Sequence, residues 1–376
     1  MTPFNKPYFI GTEIELLKAT FASGDVSGNG GMTKKCHAYF EKRWGFGKCL
    51  FTASCTHALE MCALLLNLAP GDEVIVPSYT FVSSALAFVR EGAKPVFVDS
   101  REDHPGMDEN AIEAAITAKT RAIIVVHYAG VACDMDKIMA IAERHGLIVI
   151  EDAAHAIDSF YKGRALGSIG HFGCFSFHET KNIHCGEGGM LIINDDTYAD
   201  RAEILWEKGT NRSQFYRGEV DKYGWVDTGS SFLGSDISAT FLYAQLLALD
   251  EIQNQRKALW SNYHTAFLQR ELPPQIQLPG IPEYATCNAH NYYLRLESTE
   301  QRSELIQRLK ETGYMAVFHY LALHQSEYYL RHYPYKQLKM AECYESTLLR
   351  FPLHHAVTSE DVENIVDVVA QTLESS

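Results

Sequence analysis

The chain has 376 residues, 46% hydrophobic and 21% charged, with 33 basic against 47 acidic side chains and a net charge of −14. That length allows two domains or one large one around a substantial core, and the composition excludes a disordered or fibrous chain. Such acidity opposes nucleic-acid binding, no apolar run approaches the roughly 18 residues of a membrane span, and Met1 to Phe9 lacks the pattern of a signal peptide. The nine cysteines are scattered and form no CxxC pair, which reads as the reduced thiols of a cytoplasmic protein.

In chain order, a strand ending near Phe51 leads through Thr52-Ala53-Ser54-Cys55-Thr56-His57-Ala58 into a helix over Thr56–Leu68. Short apolar runs follow, each stopping at polar or turn residues: Val74–Val76 at Pro77, Pro95–Val98 at Asp99, Ala122–Val126 at His127, and Leu147–Ile150 at Glu151-Asp152. Runs like these are strands buried on both faces. Between them lie helical patterns over Ser83–Glu91, Asn110–Ala118 and Asp136–His145. The alternation predicts an α/β fold with a mostly parallel sheet flanked by helices.

Gly173–Phe177 and Met190–Ile193 read as two further strands joined through Gly186-Glu187-Gly188-Gly189, and Trp206–Trp225 shows no clear period. Apolar spacing resumes over Ile237–Asp250 and continues towards Tyr263 as one long helix, followed by Pro273, Pro274, Pro279 and Pro282 where a linker belongs. The C-terminal part mixes strand candidates Asn291–Leu296 and Met315–Tyr320 with helices Glu300–Thr312 and Ser359–Leu373. We therefore expect a large domain over residues 1–250 and a smaller α/β domain over residues 251–376.

Ligands of parallel α/β sheets collect beyond the carboxyl ends of the strands. Asp152 sits there, as a turn acid or as a carboxylate aimed at a cationic ring nitrogen. Lys181 follows the strand near Phe177; it is a solvated lysine or, in a dry pocket, an amine that loses its proton and attacks a carbonyl. The hydroxyl-rich turn Thr52–Thr56 opens a helix, which suits ordinary capping or a phosphate. No GxxxxGK[ST] or GxGxxG motif is present, and the spacings of His171, Cys174, His178, His184 and Cys185 match no standard zinc pattern. Phosphate cradle, ring-nitrogen acid and imine-forming lysine together are what pyridoxal 5′-phosphate asks of a protein.

Four blocks in order, Pro77-Ser78-Tyr79-Thr80-Phe81, Glu151-Asp152-Ala153-Ala154-His155, Ser176-Phe177-His178-Glu179-Thr180-Lys181-Asn182 and Gly186-Glu187-Gly188-Gly189, carry a resemblance across nearly the whole chain. The sequence resembles the nucleotide-sugar aminotransferases of the fold-type I pyridoxal-phosphate class (DegT type). Through Glu207–Phe215, Asp221-Lys222-Tyr223 and His127–Cys133 it is most similar to the dTDP-4-amino-4,6-dideoxygalactose transaminases of bacterial surface-polysaccharide synthesis.

The resemblance implies roles position by position. Lys181 holds the cofactor as an imine and moves the proton in transfer. Asp152 keeps the pyridine nitrogen protonated, His155 stands near the ring hydroxyl and Phe81 stacks on the ring. Cys55, Thr56 and Ser176 contact the phosphate. Ser231, before Phe232, stands where the family often carries an asparagine reaching the neighbouring subunit's phosphate, and His184-Cys185 replaces small hydroxyl residues that precede GEGG. Lys208 and Arg212, in a basic and aromatic segment, are expected to hold a diphosphate, with Tyr320 and His184 also on the substrate. L-Glutamate as donor, a dTDP-keto-sugar as acceptor and a homodimer with shared sites are implied as well. Amination at C3, the gluco epimer, and a cofactor-binding regulator without turnover are the competing readings.

Overall fold

The computed structural model describes residues 1–374. Two helices, α1 (Thr12–Ser23) and α2 (Gly31–Trp44), precede β1 (Lys48–Thr52). An alternating stretch follows: α3 (Cys55–Leu65), β2 (Glu73–Pro77), α4 (Ser83–Arg90), β3 (Lys94–Val98), β4 (Thr120–Val126), α5 (Met135–His145) and β5 (Ile148–Asp152). A small hairpin, β6 (Phe160–Tyr161) and β7 (Arg164–Ala165), leads to β8 (Phe172–Ser176) and β9 (Gly189–Ile193).

Seven strands form one sheet in the order β1-β9-β8-β5-β4-β2-β3. β2, β3, β4, β5 and β8 run parallel, and β9 runs against both β8 and β1. Alternate side chains feed two cores: Ala122 and Ile124 join the side of α3 and α4, while Ile123 and Val125 join the side of α2, α5 and a later helix, Asp236–Leu247. Both faces are covered, which explains the unbroken apolar runs.

Beyond β9 come α6 (Ala199–Trp206), α7 (Arg212–Tyr216), α8 (Asp236–Leu247) and α9 (Leu249–Leu268). Then follow β10 (Tyr292–Arg295), α10 (Thr299–Glu311), β11 (Val317–Phe318), α11 (Glu327–His332), α12 (Lys339–Thr347), β12 (Leu348–Phe351) and α13 (Ser359–Glu374). The antiparallel sheet β10-β12-β11 shares a third core with α9, α10 and α13 through Tyr263, Phe267, Leu305, Leu349, Ile365 and Val369. Among the described residues no helix is long and apolar enough to cross a membrane.

Four expectations need correction. Asn110–Ala118 is not an α-helix but two 3-10 turns, Glu109–Ala111 and Glu113–Ala115. The chain leaves helical geometry at Ile116, because Thr117 is anchored by its hydroxyl donating to Glu73 and its N–H donating to Thr120 Oγ1. The long helix from Ile237 breaks at Ala248, since α8 packs on the large sheet and α9 on the small one. The proline-rich stretch is not a simple linker: it returns to the hairpin, with Lys162 N donating to Tyr284 O and Thr286 N to Phe160 O. The strand expected over Met315–Tyr320 pairs only at Val317 and Phe318.

Candidate active site

The carboxyl ends of β5 and β8 and the turns after β1 and β2 open on a cavity of about 940 Å³, closed from the other side by residues around the small sheet. Cys55, Thr56, Phe81 and Asp152 line it, together with His155, Ser176, Lys181 and Tyr320. Eight of the twelve residues expected from the sequence are thus brought to one place.

Ser54 caps α3, accepting from His57 N at 3.1 Å. Cys55 and Thr56, the first two helical residues, lie too early in α3 for intrahelical acceptors, so their N–H groups and the positive helix end face the cavity. The turn is held tightly from beneath: a Cβ on Gly189 would stand 2.4 Å from the Ser54 carbonyl carbon and 2.5 Å from Cys55 N. Thr56 Oγ1 also lies 2.8 Å from Ser83 Oγ at the start of α4.

Asp152 ends β5 beside β8 and is buried. Its Oδ2 accepts from Ser84 Oγ at 2.6 Å, and Oδ1 accepts from Ala154 N at 3.1 Å. Burial raises its pKa, opposed by those two hydrogen bonds and by the Lys181 charge. A cation placed at this carboxylate would therefore be held strongly and would keep its own proton.

Lys181 is carried on the loop between β8 and β9, folded back by Lys181 N donating to His178 O, Cys185 N to Phe177 O and Phe177 N to Gly188 O. Loss of hydration lowers its pKa to about 8; the nearby Arg350 acts in the same direction, while Cys55 and Asp152 oppose it. Roughly a tenth of the amine is then neutral and nucleophilic at pH 7, and about half at pH 8.

His155 is buried, and desolvation, with Lys181 and Arg350 nearby, holds its pKa well below the usual value. Its Nδ1 accepts from Ala129 N at 3.3 Å, so the proton of the neutral ring sits on Nε2, 3.2 Å from Tyr320 Oη. Its ring stacks on His290 at 4.0 Å between centroids. Phe81 is exposed at the cavity mouth, 6.2 Å from the Tyr320 ring, with a face free to cover a planar ligand.

The remaining four residues fare differently. His184 lies outside the cavity: it is buried against Phe9 and Phe241, and its Nε2 donates to Tyr8 O at 3.0 Å, fastening the N-terminal segment to the lysine loop. A direct hold on substrate by His184 is thereby corrected, because its ring is occupied by packing. Lys208 and Arg212 line a second cavity of about 730 Å³, which they share with Lys34 and Tyr216. Ser231 is exposed, bridged to Glu207, and outside the lysine's cavity. Sequence reading also missed Ser84, His290, His319, Arg256 and Arg350. Ser84 was hidden in a helix start; Arg350 had a signal, a lone charge within the apolar run Leu348–Leu353.

This donor set fits a phosphorylated pyridine aldehyde. The α3 N–H groups would take the phosphate, Asp152 the ring nitrogen, Lys181 the aldehyde carbon and Phe81 the ring face.

The chain matches the DegT/DnrJ/EryC1/StrS aminotransferase family over residues 8–370. It is 33% identical over 376 residues to the spore coat polysaccharide biosynthesis protein SpsC of Bacillus subtilis, covering 98% of this chain and 96% of that protein. Spr1654 of Streptococcus pneumoniae, described as a sugar aminotransferase and solved in its PMP form, superposes with a TM-score of 0.92 at 28% identity, covering 99% of each chain. S. venezuelae DesV, solved with a ketimine intermediate, gives 0.87 at 31% identity, covering 96% of this chain and 94% of DesV. The chain belongs to the DegT/DnrJ/EryC1/StrS aminotransferase family and uses pyridoxal phosphate.

Proposed function

We propose that the protein is a sugar aminotransferase that passes the amino group of L-glutamate to C4 of dTDP-4-keto-6-deoxy-D-glucose. The products are 2-oxoglutarate and dTDP-4-amino-4,6-dideoxy-D-galactose, a building block for bacterial surface polysaccharide made in the cytoplasm. The observation that carries the reading is the Lys181 amine, poised near pKa 8 in the same cavity as the buried Asp152 carboxylate. The likeness to SpsC, a polysaccharide biosynthesis protein, and to Spr1654, described as a sugar aminotransferase, supports a sugar acceptor, and the sequence blocks around Glu207–Phe215 support the dTDP-4-keto compound.

Bound pyridoxal phosphate supplies an electrophilic carbon and an electron sink; this chain's side chains do the rest. Asp152 holds a proton on the ring nitrogen. Lys181 takes a proton from the cofactor C4′ and delivers one to the sugar C4. Tyr320 and His155, linked through Nε2–H, form a neutral wall at which sugar hydroxyls find a donor and an acceptor. Lys208 and Arg212 are assigned to the diphosphate, and Ser231 to a phosphate across the subunit boundary. Because these three lie outside the Lys181 cavity of their own chain, the assignment requires a homodimer in which each site borrows from its partner.

Incubation of the holoenzyme with glutamate and separate 4-keto and 3-keto dTDP-hexoses, with NMR of the products, tests the reading. A new axial amine at C4, the galacto configuration, is expected. A 3-amino product or the gluco epimer replaces the acceptor or the stereochemistry, and bound cofactor without release of 2-oxoglutarate makes the protein a regulator.

A further inference from the structure

Arg350 lies on β12, the middle strand of the small sheet, and lines the same cavity as Lys181. Its neighbours Leu349 and Phe351 are fully buried, so its position is fixed by the sheet. Nη2 donates to the Phe318 carbonyl at 3.3 Å, and the guanidinium lies 4.6 Å from the Phe4 ring centroid. Nε is buried without a hydrogen-bond partner. Among the described residues no carboxylate forms an ion pair with it.

The other charges of the cavity are already committed. Arg256 donates to the carbonyls of Ala289 and His290. Asp152, the only buried acid in the lining, is held by Ser84 and Ala154. A half-buried guanidinium with a buried, unpartnered Nε and no counter-charge is costly, and its planar fork matches a carboxylate.

We propose that Arg350 receives a carboxylate of the amino-acid donor and so selects the donor in the first half of the reaction. The inference rests on the aminotransferase reading above. The same cavity must accept donor and keto-sugar in turn, and only the donor brings an anion beside its amine. The sugar end of the acceptor is uncharged, and the basic side chains suited to a diphosphate line the other cavity. The nearby Arg350 charge also helps keep His155, His290 and His319 neutral, so the guanidinium is the cationic anchor for a carboxylate on this wall.

The test uses holoenzyme carrying Arg350→Gln or Arg350→Lys. Rapid mixing with L-glutamate alone follows the bound cofactor's visible absorbance, and calorimetry measures binding of glutarate, a donor analogue without an amine. We expect R350Q to raise the half-saturating glutamate concentration about tenfold or more and to lose glutarate binding, with the keto-sugar's half-saturation moving far less. R350K, which keeps the charge without the fork, recovers part of both. Should R350Q fail to fold, R350K and wild-type binding of glutarate against the uncharged 1,5-pentanediol carry the decision: equal binding of the two compounds overturns the proposal. Wild-type-like glutamate and glutarate behaviour in the variants, or loss of dTDP binding with glutarate binding kept, also overturns it while leaving the aminotransferase reading intact. Wild-type protein that neither reacts with glutamate nor binds glutarate overturns both.

Discussion

Lys181 and Asp152 set each other's charge. Removal of water pulls the lysine down to about 8, and the carboxylate pulls the other way. An amine must be neutral to attack the aldehyde of pyridoxal phosphate, and its neutral fraction grows as pH climbs through that value. Cofactor capture by the apo-protein is therefore expected to accelerate with pH up to about 8 and then level off, as stopped-flow absorbance would show. Asp152→Asn removes one of the two neighbours, beside Cys55, that raise the lysine pKa, so its midpoint should fall; a midpoint that stays put denies the coupling. Lys181→Ala should abolish turnover, since no other amine in the cavity is free: the remaining cations are the guanidinium groups of Arg256 and Arg350. These two positions were legible only jointly, with the hydroxyl-rich turn Thr52–Thr56 and the ordered motif blocks, because a lone acid or lysine near a strand end reads equally well as a structural residue. Ser84 and His290 were not, because a serine opening a helix or a histidine in a loop carries no pattern until the fold brings it beside Asp152 or His155.

At the level of the element, the strands β2 to β5 could be read directly from sequence, since burial on both faces writes an unbroken apolar run. The N-terminal helices could not be read as easily: α2 buries only Thr33, Cys36 and Phe40, a narrow stripe in an otherwise polar segment. Its start is held instead by Asp236, whose carboxylate accepts from Gly30 N, Met32 N, Thr33 N and Thr33 Oγ1, a link across about two hundred residues that no local pattern announces. Glu151 plays a similar part under the site. It accepts from Gly167 N, Ile169 N and Gly170 N, and from His127 Nε2–H at 2.9 Å. His127 Nδ1 lies 3.3 Å from Cys133 N, so its ring is held from both sides, and, against the loss of hydration, Glu151 helps raise its pKa to about 9. Glu151→Ala strands three buried N–H groups, at about 1–3 kcal/mol each, and should lower unfolding free energy by at least about 3 kcal/mol in a denaturant titration. A loss below about 1 kcal/mol would show that the loop finds other acceptors.

At the scale of the whole molecule, the cavity of Lys181 and the cavity of Lys208 and Arg212 are separate. Sequence reasoning placed them in one site because a motif records residue type and order, and it is blind to which copy of the chain a side chain serves. If the second cavity completes the neighbour's site, a mixed dimer of Lys181→Ala with a Lys208→Ala/Arg212→Ala chain holds one intact site and one doubly damaged one. Co-expressed, the two inactive variants should regain activity; mixed dimers without activity would show that all these residues serve their own chain.

The reversed direction of β9 ties these scales together. Gly189, its first residue, is paired with Thr52 on one side and Ser176 on the other. The strand that departs from the lysine loop thus enters the sheet on the same rung from which the turn before α3 springs. The two grips that would hold the cofactor are mounted on a common crossbar, so displacement of one would be felt by the other, and the spacing between them is as rigid as the sheet itself.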